Sequence, residues 1–425
     1  MIPFMISIFA GLLLIGVPIS LTLALVATLP LYFFTDVDVV IIAQRMFNAT
    51  NSFTMMAVPF FMLAGGIFSK GGVSKRLVNL ADSLVGWMPG GLAVVTFVAS
   101  AFFGAISGSS PATVAAIGAI MVPAMIDAGY SLHFALATVA SAGFLGIVIP
   151  PSIPMVMYGV SASQNVGDMF ISGVIPGILL TVGMSTYAYL YGRKNLPKGT
   201  PFKLSNVLAA IKDAIWAIFM PVIILGGIYG GIFTPTEAAV VSCFYGIFVG
   251  LFAYRELKIS SLPDLLSSSI VQAGTILFIV ATATAFGFVM TRENIPAAVA
   301  NGLVSVSSGN KWVFLILVNL LLLVVGTFME TIPAILILTP ILLPAAQALG
   351  IDPVHFGTIM VINLGIGMAT PPVGINLFVA AGLVKKGLGS VVCRHLWMYL
   401  LFALVILMLV VFVPEFATFL PSIMK

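Results

Sequence analysis

Glu330 is a carboxylate set in an apolar stretch, Gly326-Thr327-Phe328-Met329-Glu330-Thr331-Ile332-Pro333. A carboxylate there can ligate a cation, carry a proton, or cap the helix that starts near Pro333. A second stretch, Gly104-Ala105-Ile106-Ser107-Gly108-Ser109-Ser110-Pro111-Ala112-Thr113, replaces the charge with hydroxyls and small residues. Small residues let backbone approach an ion, and hydroxyls and carbonyls are hard oxygen ligands. Pro111 suits the first position of a helix, whose positive end would face a cavity and hold a carboxylate. Helix packing with capping serines is the alternative reading of that stretch. Downstream of each lies a double proline, in Gly146-Ile147-Val148-Ile149-Pro150-Pro151-Ser152-Ile153-Pro154 and in Gly367-Met368-Ala369-Thr370-Pro371-Pro372-Val373-Gly374. Proline removes an amide donor and releases a carbonyl one turn earlier, a cation ligand in broken transporter helices. Such clusters, poor in charge, suit sodium better than a divalent ion. Two of them imply at least two coupling-ion sites.

The four stretches follow one plan used twice, at an offset of about 220 residues. Gly104 precedes Pro111 by the interval that separates Gly326 from Pro333, and His133-Phe134 and His355-Phe356 follow at matching distances. Two Pro/Gly-broken hydrophobic segments in corresponding places of two halves point to a secondary transporter and its binding site. A duplicated membrane scaffold without transport is the bland alternative; broken helices in lipid are costly unless a cavity uses the freed groups.

Elements long enough to position these residues must cross a membrane. Of 425 residues 61% are hydrophobic and 7% charged, far below the roughly 25% charged of a soluble domain. The spacing predicts spans at Ile2–Gly16, Ile19–Phe34, Ser52–Phe68, Leu132–Val160 (broken), Phe170–Tyr191, Ala214–Phe233, Ala238–Tyr254, Ala273–Met290, Val354–Leu383 (broken) and Leu396–Phe419. Two re-entrant hairpins join them, at 91–127 and 312–349, with polar turns at mid-depth that must face protein or water. The fold class is therefore an all-α polytopic membrane protein of two inverted-topology repeats, about ten transmembrane helices plus two hairpins. Repeat one covers 1–192 with broken helix 132–160. A linker follows at 193–212, expected to be cytoplasmic. Repeat two covers 213–425 with broken helix 354–383.

An odd number of spans per half inverts the second copy. With both termini outside, all but Arg45, Arg292, Lys311 and Lys425 of the 17 lysines and arginines fall inside, as the positive-inside bias requires. Four stretches too polar to cross, Asp36–Asn51, Val73–Gly86, Ile259–Gln272 and Glu293–Ser307, read as interfacial arm helices or as solvated loops. Arg292 near the cavity mouth either attracts anions or is a loop charge. In Thr234-Pro235-Thr236-Glu237, Thr236 reads as a helix cap. Asn363 and Asn376 are either cavity residues or interhelical hydrogen-bonding groups. His133 and His355 read as interfacial; Met121, Met125, Met155 and Met157 read as packing. The N-terminal apolar run lacks a basic lead and reads as a mature helix.

The net charge of +4 reflects inner loops, and no nucleic-acid partner is indicated. An enzyme is disfavoured, because no nucleophile–base pair, metal cluster or nucleotide loop is present in the sequence. Two cysteines, Cys243 in a helix and Cys393 in a basic loop, do not suggest a disulfide. Closed hairpins at opposed mid-membrane positions argue against a channel.

Gly230-Gly231-Ile232-Phe233-Thr234-Pro235-Thr236-Glu237-Ala238-Ala239, Ala57-Val58-Pro59-Phe60-Phe61-Met62-Leu63-Ala64-Gly65 and Gly365-Ile366-Gly367-Met368-Ala369-Thr370-Pro371-Pro372-Val373-Gly374-Ile375-Asn376 carry a resemblance. The chain resembles the large membrane subunit of tripartite ATP-independent periplasmic (TRAP) transporters over essentially its whole length. That resemblance implies sodium-driven uptake of an organic acid (a C4-dicarboxylate, a sialic acid or a sugar acid) across the bacterial inner membrane by an elevator mechanism. It implies a periplasmic substrate-binding protein and a separate small four-helix membrane subunit as partners, besides the lipid bilayer. By the same resemblance, sodium sites fall at Ser107, Gly108, Ser109 and Ser110 with Gly146, Val148 and Pro150, and at Gly326, Thr327, Met329 and Glu330 with Gly367, Met368 and Thr370. Substrate would lie between the hairpin turns, near Ser109, Pro111, Ser152, Thr331, Pro333, Pro372 and Asn376. A stand-alone divalent-anion/sodium symporter, dimerising through its own scaffold, is the competing reading.

Overall fold

The computed structural model describes every residue except Pro197, Lys198, Thr200 and Lys425. Among the described residues the regular structure is helical throughout. Eight helices are long and apolar enough to cross a membrane, or up to 10 if each of two bent pairs counts as one span. The chain is a multi-pass membrane protein.

One group of helices packs around the hairpins. The first hairpin is Gly91–Ser107 and Ser110–Asp127, and the second is Lys311–Phe328 and Thr331–Ala348. The first broken segment is Leu132–Ala142, Leu145–Val148 and Ile153–Ser161; the second is Pro353–Met368 and Ile375–Leu383. Gly91–Ser107 packs on Leu145–Val148, and Lys311–Phe328 packs on Pro353–Met368. Pro353–Met368 is buried along nearly its whole length, so the broken helices form the centre of the core. A second group, Ile19–Phe34, Ala57–Lys70, Leu204–Tyr229, Pro235–Phe248 and Leu262–Arg292, packs chiefly on itself. Its outward residues, such as Trp216, Phe219, Phe244 and Phe248, are exposed, as apolar side chains facing lipid must be. Short helices lead from this group into each hairpin: Val73–Val85 before the first, Ile295–Val306 before the second.

Several elements differ from the sequence reading. Ile259–Gln272 is not a separate arm: from Leu262 it is the start of one helix running to Arg292. Leu265, Ser269, Ala273, Ile276 and Val280 keep one buried face across the expected boundary, and a continuous 3.6-residue stripe gives the helix no reason to stop. Val174–Asn195 and Leu204–Tyr229 extend into the stretch read as linker and shorten it to 196–203; its Pro197 and Lys198 lie outside the described residues, as does Lys425. The cap of Pro235–Phe248 is Thr234, not Thr236. Thr234 Oγ1 accepts from the Glu237 amide at 3.3 Å while Glu237 accepts from the Thr234 amide at 2.8 Å, a reciprocal capping box. Thr236 instead donates to the Phe53 carbonyl at 2.9 Å. His355 is not interfacial: it is 2% exposed, with Nε2 2.8 Å from the Val410 carbonyl. His133 is exposed, its Nδ1 2.8 Å from the Ser390 carbonyl.

Candidate functional site

The first hairpin turns in two residues. Gly108 sits at φ +60°, a left-handed conformation that favours glycine, and its amide closes on the Gly104 carbonyl at 3.1 Å. Ser109 is extended and occupies the cap position of the second limb, which starts at Ser110, so Pro111 is the second helical residue. The Ser109 carbonyl accepts from Thr113 Oγ1 at 2.8 Å, and Thr113 Oγ1 lies 3.2 Å from Ser107 Oγ. Hydroxyls and a carbonyl thus converge within one turn.

The second hairpin turns at Met329 and Glu330, both extended. Glu330 holds the cap position of Thr331–Ala348, yet its side chain makes no capping hydrogen bond. It is exposed and opens into a cavity. Among the described residues the ion pairs are those of Arg76, so the Glu330 carboxylate has no basic partner. Thr331 Oγ1 lies 3.0 Å from the Met368 sulfur.

Glycines hold each hairpin against its broken helix. A Cβ on Gly104 would stand 2.8 Å from the Gly146 Cα, and a Cβ on Gly367 would stand 2.6 Å from the Gly326 Cα. Backbones cross at these points with no room for a side chain. Two residues beyond each double proline an amide bonds across to the hairpin: Ile153 to the Gly108 carbonyl at 3.3 Å, Gly374 to the Thr327 carbonyl at 3.0 Å.

Both turns open on one cavity of about 360 Å³, lined by Gly108, Ser109, Ser110, Pro111, Glu330, Thr331 and Met368 among others. The starts of two helices, Ser110–Asp127 and Thr331–Ala348, are at its wall, where unpaired amides and helix dipoles favour an anion. Of the residues expected at the substrate, Ser109, Pro111 and Thr331 line this cavity. Ser152 is buried, donating to the Ile147 carbonyl at 2.5 Å and capping Met155 at 3.3 Å. It thereby takes back one carbonyl that the prolines release. Asn376 is buried and stands off the cavity: Oδ1 accepts from Ser110 Oγ at 2.9 Å and Nδ2 donates to Ala140 at 3.2 Å. Pro333 is buried. Pro372, with Thr327 and Thr370, borders a separate apolar groove beside Trp397. Asn363 bonds Asn319 Oδ1 at 2.6 Å within the core, and its own Oδ1 is buried without a partner.

Sequence reading did not find the other wall. Met62 from Ala57–Lys70, and Gln272 and Ile276 from Leu262–Arg292, complete the cavity. Gln272 had a signal: it heads the stripe Gln272, Ile276, Val280, Thr284, in which a lone amide joins an apolar helical face.

The family model for the DctM component of the tripartite ATP-independent periplasmic transporter matches residues 6–416. The C4-dicarboxylate TRAP transporter large permease protein DctM of Rhodobacter capsulatus is 41% identical, over 97% of each chain. The isethionate TRAP transporter permease protein DctMQ of Oleidesulfovibrio alaskensis is 45% identical over 90% of this chain, which spans 61% of that relative's length. The sialic acid TRAP transporter large permease protein SiaM of Vibrio cholerae is 36% identical, over 97% of this chain and 96% of the relative. Among solved structures, Neisseria gonorrhoeae MtrF superposes with a TM-score of 0.58 at 16% identity, over 94% of this chain and 93% of its own. The Alcanivorax borkumensis YdaH transporter gives 0.55 at 16%, over 95% and 96%. At that identity the likeness speaks for the fold.

Proposed function

The chain belongs to the DctM family of tripartite ATP-independent periplasmic transporters, and from that premise we propose that it carries an organic acid inward on a sodium gradient. It is a transporter subunit and not an enzyme. The observation that carries the proposal is the meeting of both hairpin turns at one cavity, with an unpaired carboxylate, converging hydroxyls and two helix starts. Oxygen ligands with one net negative charge suit sodium; amides at helix starts suit the substrate's acid group.

In this reading sodium binds where each hairpin crosses its broken helix, around Ser107–Ser110 with Gly146–Pro150 and around Gly326–Glu330 with Gly367–Thr370. The equivalent crossings support two inverted repeats, with the second turned over relative to the first. The hairpin group moves as one body past the group containing Leu262–Arg292, carrying the cavity across the membrane. Relatives are named for C4-dicarboxylates, isethionate and sialic acid, all anions, so the substrate class is a small carboxylate or sulfonate. A small membrane subunit and a periplasmic binding protein complete the system in the bacterial inner membrane, with both termini of this chain outside. Matches over nearly the full length of named TRAP permeases weigh against a stand-alone symporter.

The test is uptake in proteoliposomes holding the assembled complex, with Glu330→Gln and Ser109→Ala. Each loses one charged or polar oxygen ligand, worth roughly 1.5–3 kcal/mol, so the sodium needed for half-maximal uptake should rise at least about tenfold. Assembly of the complex should persist. Unchanged sodium dependence in both variants removes the site assignment.

A further inference from the structure

A second cavity, of about 760 Å³, lies beyond the hairpin cavity along the same helices. Three elements run from one to the other. Ile153 and Pro154 line the first cavity and Ser161 the second; Gln272 and Ile276 line the first and Thr284 and Arg292 the second; Ile332 lines the first and Leu336 the second. The two linings come within one helical turn: Ile276 and Val280, like Ile332 and Leu336, are about 6 Å apart at 1.5 Å per helical residue. The packed segments between, with Met155, Val156, Met157 and Ile335 buried, separate the two spaces. Its size falls in the range of small-molecule sites.

We propose that this second cavity is an anion-receiving vestibule, which holds the substrate's acid group on Arg45 and Arg292 before the hairpin site becomes accessible from that side. Both arginines line it, no aspartate or glutamate does, and neither arginine makes an ion pair among the described residues. The Arg45 guanidinium lies over the Phe288 ring, 4.7 Å from its centroid. That contact orients the fork and leaves its donors for a carboxylate or sulfonate. Asn48, Ser161 and Thr284 add neutral hydrogen-bonding groups. Two cations that make no ion pair among the described residues, both exposed on the wall of one concave space, raise the local concentration of anions. The hairpin cavity, with Glu330 at its edge, has the opposite charge, so the two spaces divide the work: acid group first at the arginines, sodium at the hairpins. The inference rests on the transport reading and on its orientation, with Arg45 and Arg292 outside.

The test needs no knowledge of the substrate. Thr284→Cys is introduced into the full chain within its complex, in right-side-out vesicles; the parent chain with its free Cys243 and Cys393 supplies the blank. The probes are two membrane-impermeant methanethiosulfonates, one bearing a sulfonate and one a trimethylammonium. Reaction from outside should favour the sulfonate, and Arg45→Gln with Arg292→Gln should lower the sulfonate-to-ammonium rate ratio about tenfold. Raising the salt should shrink the preference in the parent arginine background. An unaltered ratio when both arginines are removed overturns the vestibule while leaving the transport reading intact. Reaction from the cytoplasmic face alone overturns the orientation instead. Ser161→Cys repeats the measurement at a second wall; no reaction from either face at either position overturns the vestibule.

Discussion

A methyl group at Gly104 would stand 2.8 Å from the Gly146 Cα, and that atom is backbone. No side-chain rotation relieves such an overlap, so Gly104→Ala must push the first hairpin off its broken helix. Overpacking of this kind costs roughly 1–3 kcal/mol. Gly382, in the last turn of Ile375–Leu383, has nothing within 4 Å of an added Cβ, and Gly382→Ala should leave its helix as stable or more stable, by at most about 0.5 kcal/mol. The expected outcome is a lower melting temperature of the purified complex for Gly104→Ala and an equal or higher one for Gly382→Ala. A neutral Gly104→Ala would refute the close crossing. Glycines and prolines of this site were legible in the sequence because their meaning is local: they report what one stretch of backbone can do. Asn376 was less legible. A buried amide in an apolar helix announces a hydrogen bond but not its partner, and here the partners are Ser110 and Ala140, remote in sequence. Gln272 was missed for the same reason, since its cavity exists only once Leu262–Arg292 meets both hairpins.

Helices were easier to place than to bound. The hairpins and the arms at Val73–Val85 and Ile295–Val306 follow from polar turns and amphipathic spacing. The extent of Leu262–Arg292 does not, because polar residues at its start mimic an interfacial segment while the buried stripe continues beneath them. The arm Val73–Val85 carries its own anchor. Arg76 bonds Glu256 at 2.6 Å and Asp213 at 3.3 Å, and its guanidinium lies 3.7 Å from the Tyr254 ring centroid. Its acidic partners are exposed, so each pair alone is weak; the Tyr254 ring adds a cation–π contact to the same guanidinium. Arg76→Gln should loosen the arm by about 1 kcal/mol, read as several-fold faster amide hydrogen exchange across Val73–Val85 with little change in Pro353–Met368. Equal protection of the arm in both proteins would mean that packing on Leu204–Tyr229 holds it without Arg76.

At the scale of the whole molecule, the question is whether two packed helix groups slide past each other. Their contact at the first hairpin tip is intimate. Gly65, on Ala57–Lys70, would carry a Cβ 3.3 Å from the Ser107 Cα and 3.6 Å from the Ser107 Cβ, so a disulfide can bridge the two once the crowded backbones part by about 1 Å. Glycine at position 65 removes the side chain that would otherwise interlock the groups, which suits a surface that must shift. A Gly65→Cys/Ser107→Cys pair should therefore oxidise in the membrane and fix the hairpin group where it stands. If that group must travel to carry the cavity across, uptake should stop on oxidation and return on reduction to the level the same chain had before oxidation. Comparison within one doubly substituted protein separates the cross-link from any loss due to Ser107 itself. Full uptake with the bond formed would mean that the hairpin tip and Ala57–Lys70 stay together throughout transport, and that the moving boundary lies elsewhere in the helix packing.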